Sequence, residues 1–178
     1  MIISKCNLPG EYILEPEKVE DERGFFANSW HEKEIKKNGL EPKLRECNIS
    51  FNKKKGTIRG LHYQISPYQQ IKLIRCTRGR IFDVALDLRP ISPTFLQWSS
   101  IELSSDNYKM HLIPEGCAHG FQTLEDNSEL FYQMTQFYMP KYTNGVKWND
   151  ESFDISWPLE PTMISKKDSL WSSFNSEN

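Results

Sequence analysis

Short strand-like segments with turn residues between them set the limits on this fold. Lys72 to Thr77, Arg80 to Leu88, Gln97 to Leu103, Met110 to Ile113 and Glu129 to Phe137 carry alternating or continuous apolar residues. In the second of these, Ile81, Asp83, Ala85 and Asp87 share one face, and Phe82, Val84, Leu86 and Leu88 share the other. A period of two belongs to a strand. Arg78-Gly79 reads as a hairpin turn between the first two segments. The Lys53-Lys54-Lys55 run before Gly56 reads as a solvated hairpin tip. Only His31 to Asn38, stopped by Gly39, has the pattern of a helix, with a weaker one near the carboxyl end. Many short strands and few short helices predict an all-β fold, a β-sandwich or barrel of jelly-roll type.

A chain of 178 residues, 38% hydrophobic and 12% aromatic, is large enough to bury a core and too apolar for disorder. With no internal repeat and no low-complexity linker, one domain spanning 1–178 is expected, frayed only in the Ser/Asn-rich tail from Ser172 to Asn178. A net charge of -2, from 22 basic and 24 acidic residues, gives no polycationic footprint, so no nucleic-acid partner is expected. The amino terminus Met1-Ile2-Ile3-Ser4-Lys5 lacks a long apolar h-region, and no segment reaches the ~20 apolar residues that a membrane span needs. A cytoplasmic protein without a membrane partner is therefore expected. Cys6, Cys47, Cys76 and Cys117 are far apart and form no CxxC pair, which suits free thiols in a reducing compartment.

The chemistry-bearing residues begin with His62, in Arg59-Gly60-Leu61-His62-Tyr63, placed to point inward from a sheet. An imidazole titrates near neutral pH and is the natural general base, although a strand histidine is more often structural. Lys72 shares a strand face with Gln70 and Ile74, against Ile71 and Leu73. An ammonium there can stabilise an enolate oxygen; taken by itself, such a lysine is more often a solvated one on an exposed face. A base and a cation without a metal motif suit proton transfer at carbon.

Pro114-Glu115-Gly116-Cys117-Ala118-His119-Gly120-Phe121 resembles the second half of the metal motif of cupins, a jelly-roll class. In a metal cupin a second histidine stands two residues after the position of His62; here Gln64 stands there, followed by Ile65-Ser66-Pro67. With so few nitrogen and oxygen ligands, neither a metal nor another cofactor is expected.

Nearly end to end, the chain resembles the dTDP-4-dehydrorhamnose 3,5-epimerase family of metal-free cupins. The segments that carry this are Asp21 to Phe26, Gly56 to Gln64, Lys72 to Cys76, Ile81 to Arg89, Ser92 to Phe95, Ile113 to Phe121, Trp148 to Asp150 and Ser165 to Asp168. The resemblance implies inversion of carbons 3 and 5 of a nucleotide-linked 4-keto-6-deoxy sugar, both hydrogens being acidic because they flank the ketone. It makes His62 the base, Asp168 its orienting partner, Lys72 the cation near the carbon-4 oxygen and Tyr132 the proton donor on the opposite face. It further implies that Arg23 and Arg59 hold the diphosphate, that His119 and Lys167 add to the anionic pocket, and that Asn48 and Tyr138 meet the nucleotide. A homodimer is implied too, with the Phe25-Phe26 segment reaching the neighbour's pocket.

The family pattern is broken at Asn28, where a glutamate is usual, at Glu46-Cys47-Asn48, where Gln-Asp-Asn is usual, and at Thr143, which replaces another glutamate. These changes fall in binding positions while the catalytic set is intact. The reaction class is thus better fixed than the nucleotide. A single-site 3- or 5-epimerase or ketoisomerase acting on a CDP- or other NDP-linked keto sugar stays open, as do a silent nucleotide-sugar-binding cupin and a metal-dependent cupin oxygenase.

Overall fold

The computed structural model describes residues 1–41 and 43–174. In chain order the elements are β1 (Ile2–Lys5), β2 (Tyr12–Glu15), β3 (Val19–Asp21), β4 (Gly24–Phe26), α1 (Glu32–Lys37), β5 (Glu46–Asn52), β6 (Thr57–Gln64), β7 (Lys72–Arg78) and β8 (Arg80–Asp87). There follow β9 (Trp98–Ser104), β10 (Met110–Ile113), β11 (Cys117–Thr123), β12 (Ser128–Met134), β13 (Thr143–Gly145), β14 (Met163–Ile164) and α2 (Lys166–Ser169). One sheet runs β1-β2-β10-β7-β12-β5; the other runs β13-β6-β11-β8-β9, with β14 alongside β6, and β3 and β4 form a separate hairpin. Two facing sheets with few short helices make the expected cupin-type jelly-roll sandwich.

The five segments with strand patterns are all strands, but neither of the two expected hairpin turns joins paired strands. β7 and β8 do not pair: β7 lies between β10 and β12 in the first sheet, while β8 lies between β11 and β9 in the second. Gly79 therefore carries the chain across from one sheet to the other, at φ 74°, with no room for a Cβ, which would sit 2.6 Å from Ser128 Oγ. The Lys53–Lys55 run is exposed as expected. It too joins different sheets, linking β5 to β6, and is not a hairpin tip.

Alternation along the strands divides the apolar residues into layers. Ile74, Ile81, Ala85, Leu103, Ile113, Phe121 and Leu130 meet between the sheets. Leu14, Leu73, Met110 and Leu112 cover the outer face of the first sheet and pack on Ile35 of α1. Leu61, Val84, Leu86 and Ala118 face outward on the second sheet beneath Val146, Phe153 and Trp157. Lys72 shares the inward face with Ile74, so the exposed-lysine expectation is wrong: Lys72 is buried. The same period of two sends His62, His119 and Tyr132 inward, because Leu61, Ala118 and the outer cluster occupy the other face.

α1 matches the expected helix. Glu32 and Glu34 lie in its first turn and Lys36 and Lys37 in its last, complementing the macrodipole. Its end is a Schellman motif: Gly39 N–H donates to Lys36 O at 2.9 Å and Leu40 N–H to Ile35 O at 3.2 Å, while Ile35 and Leu40 join one apolar cluster. The expected second helix is the short α2. Of the tail expected to fray, Ser172 and Ser173 are exposed, but Phe174 packs on Phe153 with ring centroids 5.5 Å apart and donates its N–H to Asp150. Residues 175–178 lie outside the described residues.

Candidate active site

A cavity of about 390 Å³ opens between the sheets and is lined from both of them. His62 enters from β6 and His119 from β11; Lys72 and Tyr132 enter from β7 and β12 of the facing sheet. Asp168 arrives from far along the chain. The parallel pairing of Met163 with Thr57 and Ile164 with Ile58 lays the carboxyl-terminal segment beside β6. Ser165 then caps α2 by accepting the Asp168 N–H at 3.1 Å. The Asp168 carboxylate meets His62 Nε2 at 2.6 Å and accepts the Gly60 N–H at 3.4 Å. Gly60 is required there: a Cβ would lie 2.5 Å from Gly120 Cα on the adjacent β11.

The buried charges around the cavity are shifted in directions that follow from their partners. Burial lowers the Lys72 ammonium to about 8, with Asp83 pulling the other way, while Lys72 Nζ donates to the His62 carbonyl at 2.9 Å. Burial pushes the Tyr132 phenol well above its ordinary range, Asp83 adds to this, and Arg59 and Ser50 oppose it. Burial works against ionising Asp168, but the hydrogen bond and charge of His62, with the Gly60 N–H and Ser165, together outweigh it and hold the carboxyl below its usual value. His119 is lowered by burial despite the Asp83 carboxylate beside it.

Behind His119 lies a polar chain that crosses the sandwich. Asp83 takes His119 Nε2 on one oxygen and His111 Nδ1 on the other, each at 2.8 Å. His111 Nε2 reaches Glu11 at 2.6 Å, and Glu11 also accepts from Ser99 and from the Leu8 N–H. Burial works against a charged His111, yet the two carboxylates more than reverse it and raise the imidazole to about 9. Among the described residues, no group of three or more His, Cys, Asp and Glu side chains is arranged to hold a metal.

A family model described as dTDP-4-dehydrorhamnose 3,5-epimerase matches residues 5–176. The chain belongs to the dTDP-4-dehydrorhamnose 3,5-epimerase family. A relative of that name from Shigella flexneri is 42% identical over 169 residues, covering 94% of this chain and 93% of its own. The solved dTDP-4-dehydrorhamnose 3,5-epimerase of Bacillus anthracis, with TDP and PPi bound, superposes with a TM-score of 0.94 at 38% identity, over 97% of this chain and 99% of that one. The Legionella pneumophila epimerase, in complex with dTDP-4-keto-L-rhamnose, gives a TM-score of 0.88 at 38% identity, over 94% of this chain and 89% of that one.

Most of the residues to which the epimerase family points gather at this cavity. Asn48, Arg59, His62, Lys72, His119, Tyr132, Tyr138, Thr143, Lys167 and Asp168 all line it. Glu46 stands just behind, accepting from Asn48 Nδ2 at 2.7 Å and from the Tyr138 N–H at 2.9 Å, so it holds two lining residues in place. Arg23 and Asn28 are not brought to the cavity. Arg23 is exposed on the β3–β4 hairpin and is paired with Asp21 at 2.5 Å, and Asn28 follows that hairpin.

Several lining residues were not picked out from sequence, among them Ser50, Gln70 and Phe121. Gln64, where a metal cupin carries histidine, is buried and ties segments together: its amide donates to Tyr68 O at 2.7 Å and Phe137 O at 3.1 Å, and accepts from the Met139 N–H at 2.6 Å. Asp83, His111 and Glu11 were also missed. A polar residue on the inward face of an apolar strand is a signal for Asp83; nothing local marks its partners. All four cysteines are free, with Cys47 exposed and Cys76 and Cys117 buried, where burial pushes the thiols up to about 11 and about 12.

Proposed function

We propose that this chain is an isomerase that inverts carbons 3 and 5 of dTDP-4-dehydro-6-deoxy-D-glucose to give dTDP-4-dehydro-L-rhamnose. The observation that carries the reading is the placement of a carboxylate-bound imidazole and a half-buried phenol on facing sheets of one cavity, with Lys72 reaching from the second wall toward the first. Inversion needs a base and an acid on opposite faces of the sugar.

With Nε2 held by Asp168, His62 keeps Nδ1 to take the proton from the carbon beside the ketone. The C–H electron pair moves to the carbon-4 oxygen as an enolate, which the Lys72 ammonium stabilises; one Nζ donor is engaged by the His62 carbonyl and two remain. Tyr132 gives its proton to the same carbon from the other face. The imidazolium and phenolate then reset by exchange with solvent. Repeating the cycle at the second carbon completes the epimerisation.

Arg59 suits one diphosphate group through its forked donors, with Lys167 and His119 adding to recognition and Asn48, Tyr138 and Thr143 shaping the nucleotide end, where Glu46 holds Asn48 and Tyr138. Arg23 and Asn28 reach the pocket of a second copy in the homodimer. In support, Val19, Phe26 and Ile49 are 70%, 73% and 68% exposed on the β3–β4 hairpin and on β5, an open sheet edge. Exposed apolar residues beside an unpaired edge are the usual mark of an interface. The enzyme works in the cytoplasm as a single domain; no helix among the described residues is long and apolar enough to cross a membrane.

Proton NMR in deuterated water with dTDP-4-keto-6-deoxyglucose, and in parallel with its CDP counterpart, tests this. Deuterium at carbons 3 and 5 with inversion of the dTDP sugar is the expected result. Exchange at one carbon marks a single-site epimerase, a preference for the CDP sugar overturns the nucleotide assignment, and no exchange with either removes the epimerase reading. A monomer by light scattering overturns the shared pocket.

A further inference from the structure

His62 has an aromatic neighbour that the proposed chemistry does not use. The Trp171 indole stands edge-on to the imidazole, with ring centroids 6.2 Å apart and ring planes at 64°. Two features bring it there. Trp171 follows Asp168 by three residues and Lys167 by four, the spacing that stacks side chains on successive helical turns, and it lies just past the end of α2. Gly145 then makes room. It pairs with His62 across β13 and β6, and a Cβ on it would lie 2.4 Å from Trp171 Cε2 and 2.8 Å from Leu61 O. The indole thus fills the space of a side chain opposite His62, at the β13 edge of the second sheet.

The ring, not its polar group, holds Trp171 in place. Trp171 Nε1 is buried and has no hydrogen-bond partner among the described residues. A buried donor left unpaired is destabilising, so packing of the ring must outweigh it. The Lys167 ammonium also lies over the indole, 5.9 Å from its centroid. Trp171 is not part of the cavity lining.

We propose that Trp171 is a positioning residue for the base: it packs the imidazole against Asp168 and closes the Nε2 side of the pair to water, leaving Nδ1 as the nitrogen that exchanges protons with the cavity. The Asp168 side chain is 5% exposed and the His62 side chain 33%, as suits a pair closed at the carboxylate and open toward the sugar. A hydrogen bond kept from water is stronger than one exposed to it. A base held in one orientation also meets the carbon in one geometry. This role rests on His62 being the base, and Trp171 acts through it.

Two readouts on the full-length protein test the role. The first needs no turnover: with isotope-labelled histidine, the His62 Nε2–H proton, bound to Asp168 at 2.6 Å, is followed by NMR and identified by its loss in His62→Ala. It is expected to be sharp in the wild type and to broaden by exchange with water in Trp171→Ala. The second is kinetics with dTDP-4-keto-6-deoxyglucose. Misplacing a reacting group by about 1 Å costs up to about 10²-fold, so Trp171→Ala is expected to lower kcat about ten-fold. KM and dTDP affinity change by no more than about two- to five-fold, through Lys167. Trp171→Phe, which keeps a ring and drops the unpaired N–H, restores the sharp signal and most of kcat. A merely structural indole gives another pattern, a lower urea midpoint with the signal and kcat unchanged, and that overturns the proposal. A loss confined to KM makes Trp171 a binding residue and overturns it as well. If His62→Ala retains solvent exchange at carbons 3 and 5, the base assignment falls and the role falls with it. An exchanging Nε2–H beside an unchanged kcat in Trp171→Ala overturns the positioning role alone.

Discussion

Two histidine–carboxylate systems sit side by side in this sandwich, made of the same groups at nearly the same distances, yet they are fitted for different work. The His62 side chain is 33% exposed and faces the cavity, bound by one carboxylate, Asp168, that is 5% exposed. His111 is 1% exposed and is gripped at both nitrogens, by Asp83 and by Glu11. An imidazole with one nitrogen anchored and the other open can move a proton. One with both nitrogens engaged has nowhere to put it, and so serves as a strut under His119 and the cavity floor. The chemistry of a histidine–aspartate pair is therefore set by what is left free, and burial decides that.

The sharpest test of the contrast is His62→Ala. Loss of a positioned general base costs about 10²–10⁴-fold, so epimerisation followed by NMR is expected to fall by that much with the fold intact by circular dichroism.

Asp83→Asn is expected to do the reverse. It leaves the His111 charge with half of its compensation, and breaking a buried pair costs about 3–5 kcal/mol, read as a fall in the urea midpoint. The pH dependence of stability checks the cause. His111 is raised to about 9, above its ordinary 6.5, so its contribution is complete below about pH 6.5 and is lost as pH rises through about 9. In Asp83→Asn that decline is shallower; an unchanged slope would show that His111 is not the group responsible.

Asp168→Asn comes next. The amide keeps the geometry at His62 Nε2 but favours the wrong tautomer and no longer stabilises the imidazolium. A loss of about 10²-fold in kcat with little change in KM is expected. A change confined to KM would make Asp168 a binding residue.

The smallest effect concerns Lys72, which must be protonated to hold the enolate oxygen. Burial places it at about 8, so kcat is expected to fall as pH rises through that value. Lys72→Arg, which stays charged, removes this limb even where it lowers the rate; a limb that persists in the variant belongs to another group.

How much of this the sequence discloses depends on whether the deciding contacts are local. The pattern over Met110 to Ile113 coincides with β10, and that over Lys72 to Thr77 falls short of β7 by Arg78 alone, because alternation and flanking turns are local signals. The turn at Gly79 was legible as a turn, yet not as a crossing between sheets: β7 takes its partners from β10 and β12, far along the chain. β11 escaped the strand reading because Cys117 to Thr123 is buried on both faces, which erases the period of two.

In the site, His62 and Lys72 were candidates from their residue types and settings, whereas Asp168 and Tyr132 came from the family resemblance. The Lys-Lys-Asp-Ser string looks like a surface cap, and the same residues do form α2; only pairing of β14 with β6 turns that cap toward His62. The partners of the buried network are 28 and 100 residues apart, beyond any local pattern.

Side-by-side solvent exchange decides between the two histidine systems. His62→Ala and Asp83→Asn are incubated with dTDP-4-keto-6-deoxyglucose in deuterated water at a temperature where both are folded, and deuterium at carbons 3 and 5 is followed by NMR. Exchange lost in His62→Ala and retained in Asp83→Asn is the expected result. Exchange retained in His62→Ala, or lost in Asp83→Asn alone, contradicts the assignment of proton transfer to the open pair and support to the closed one.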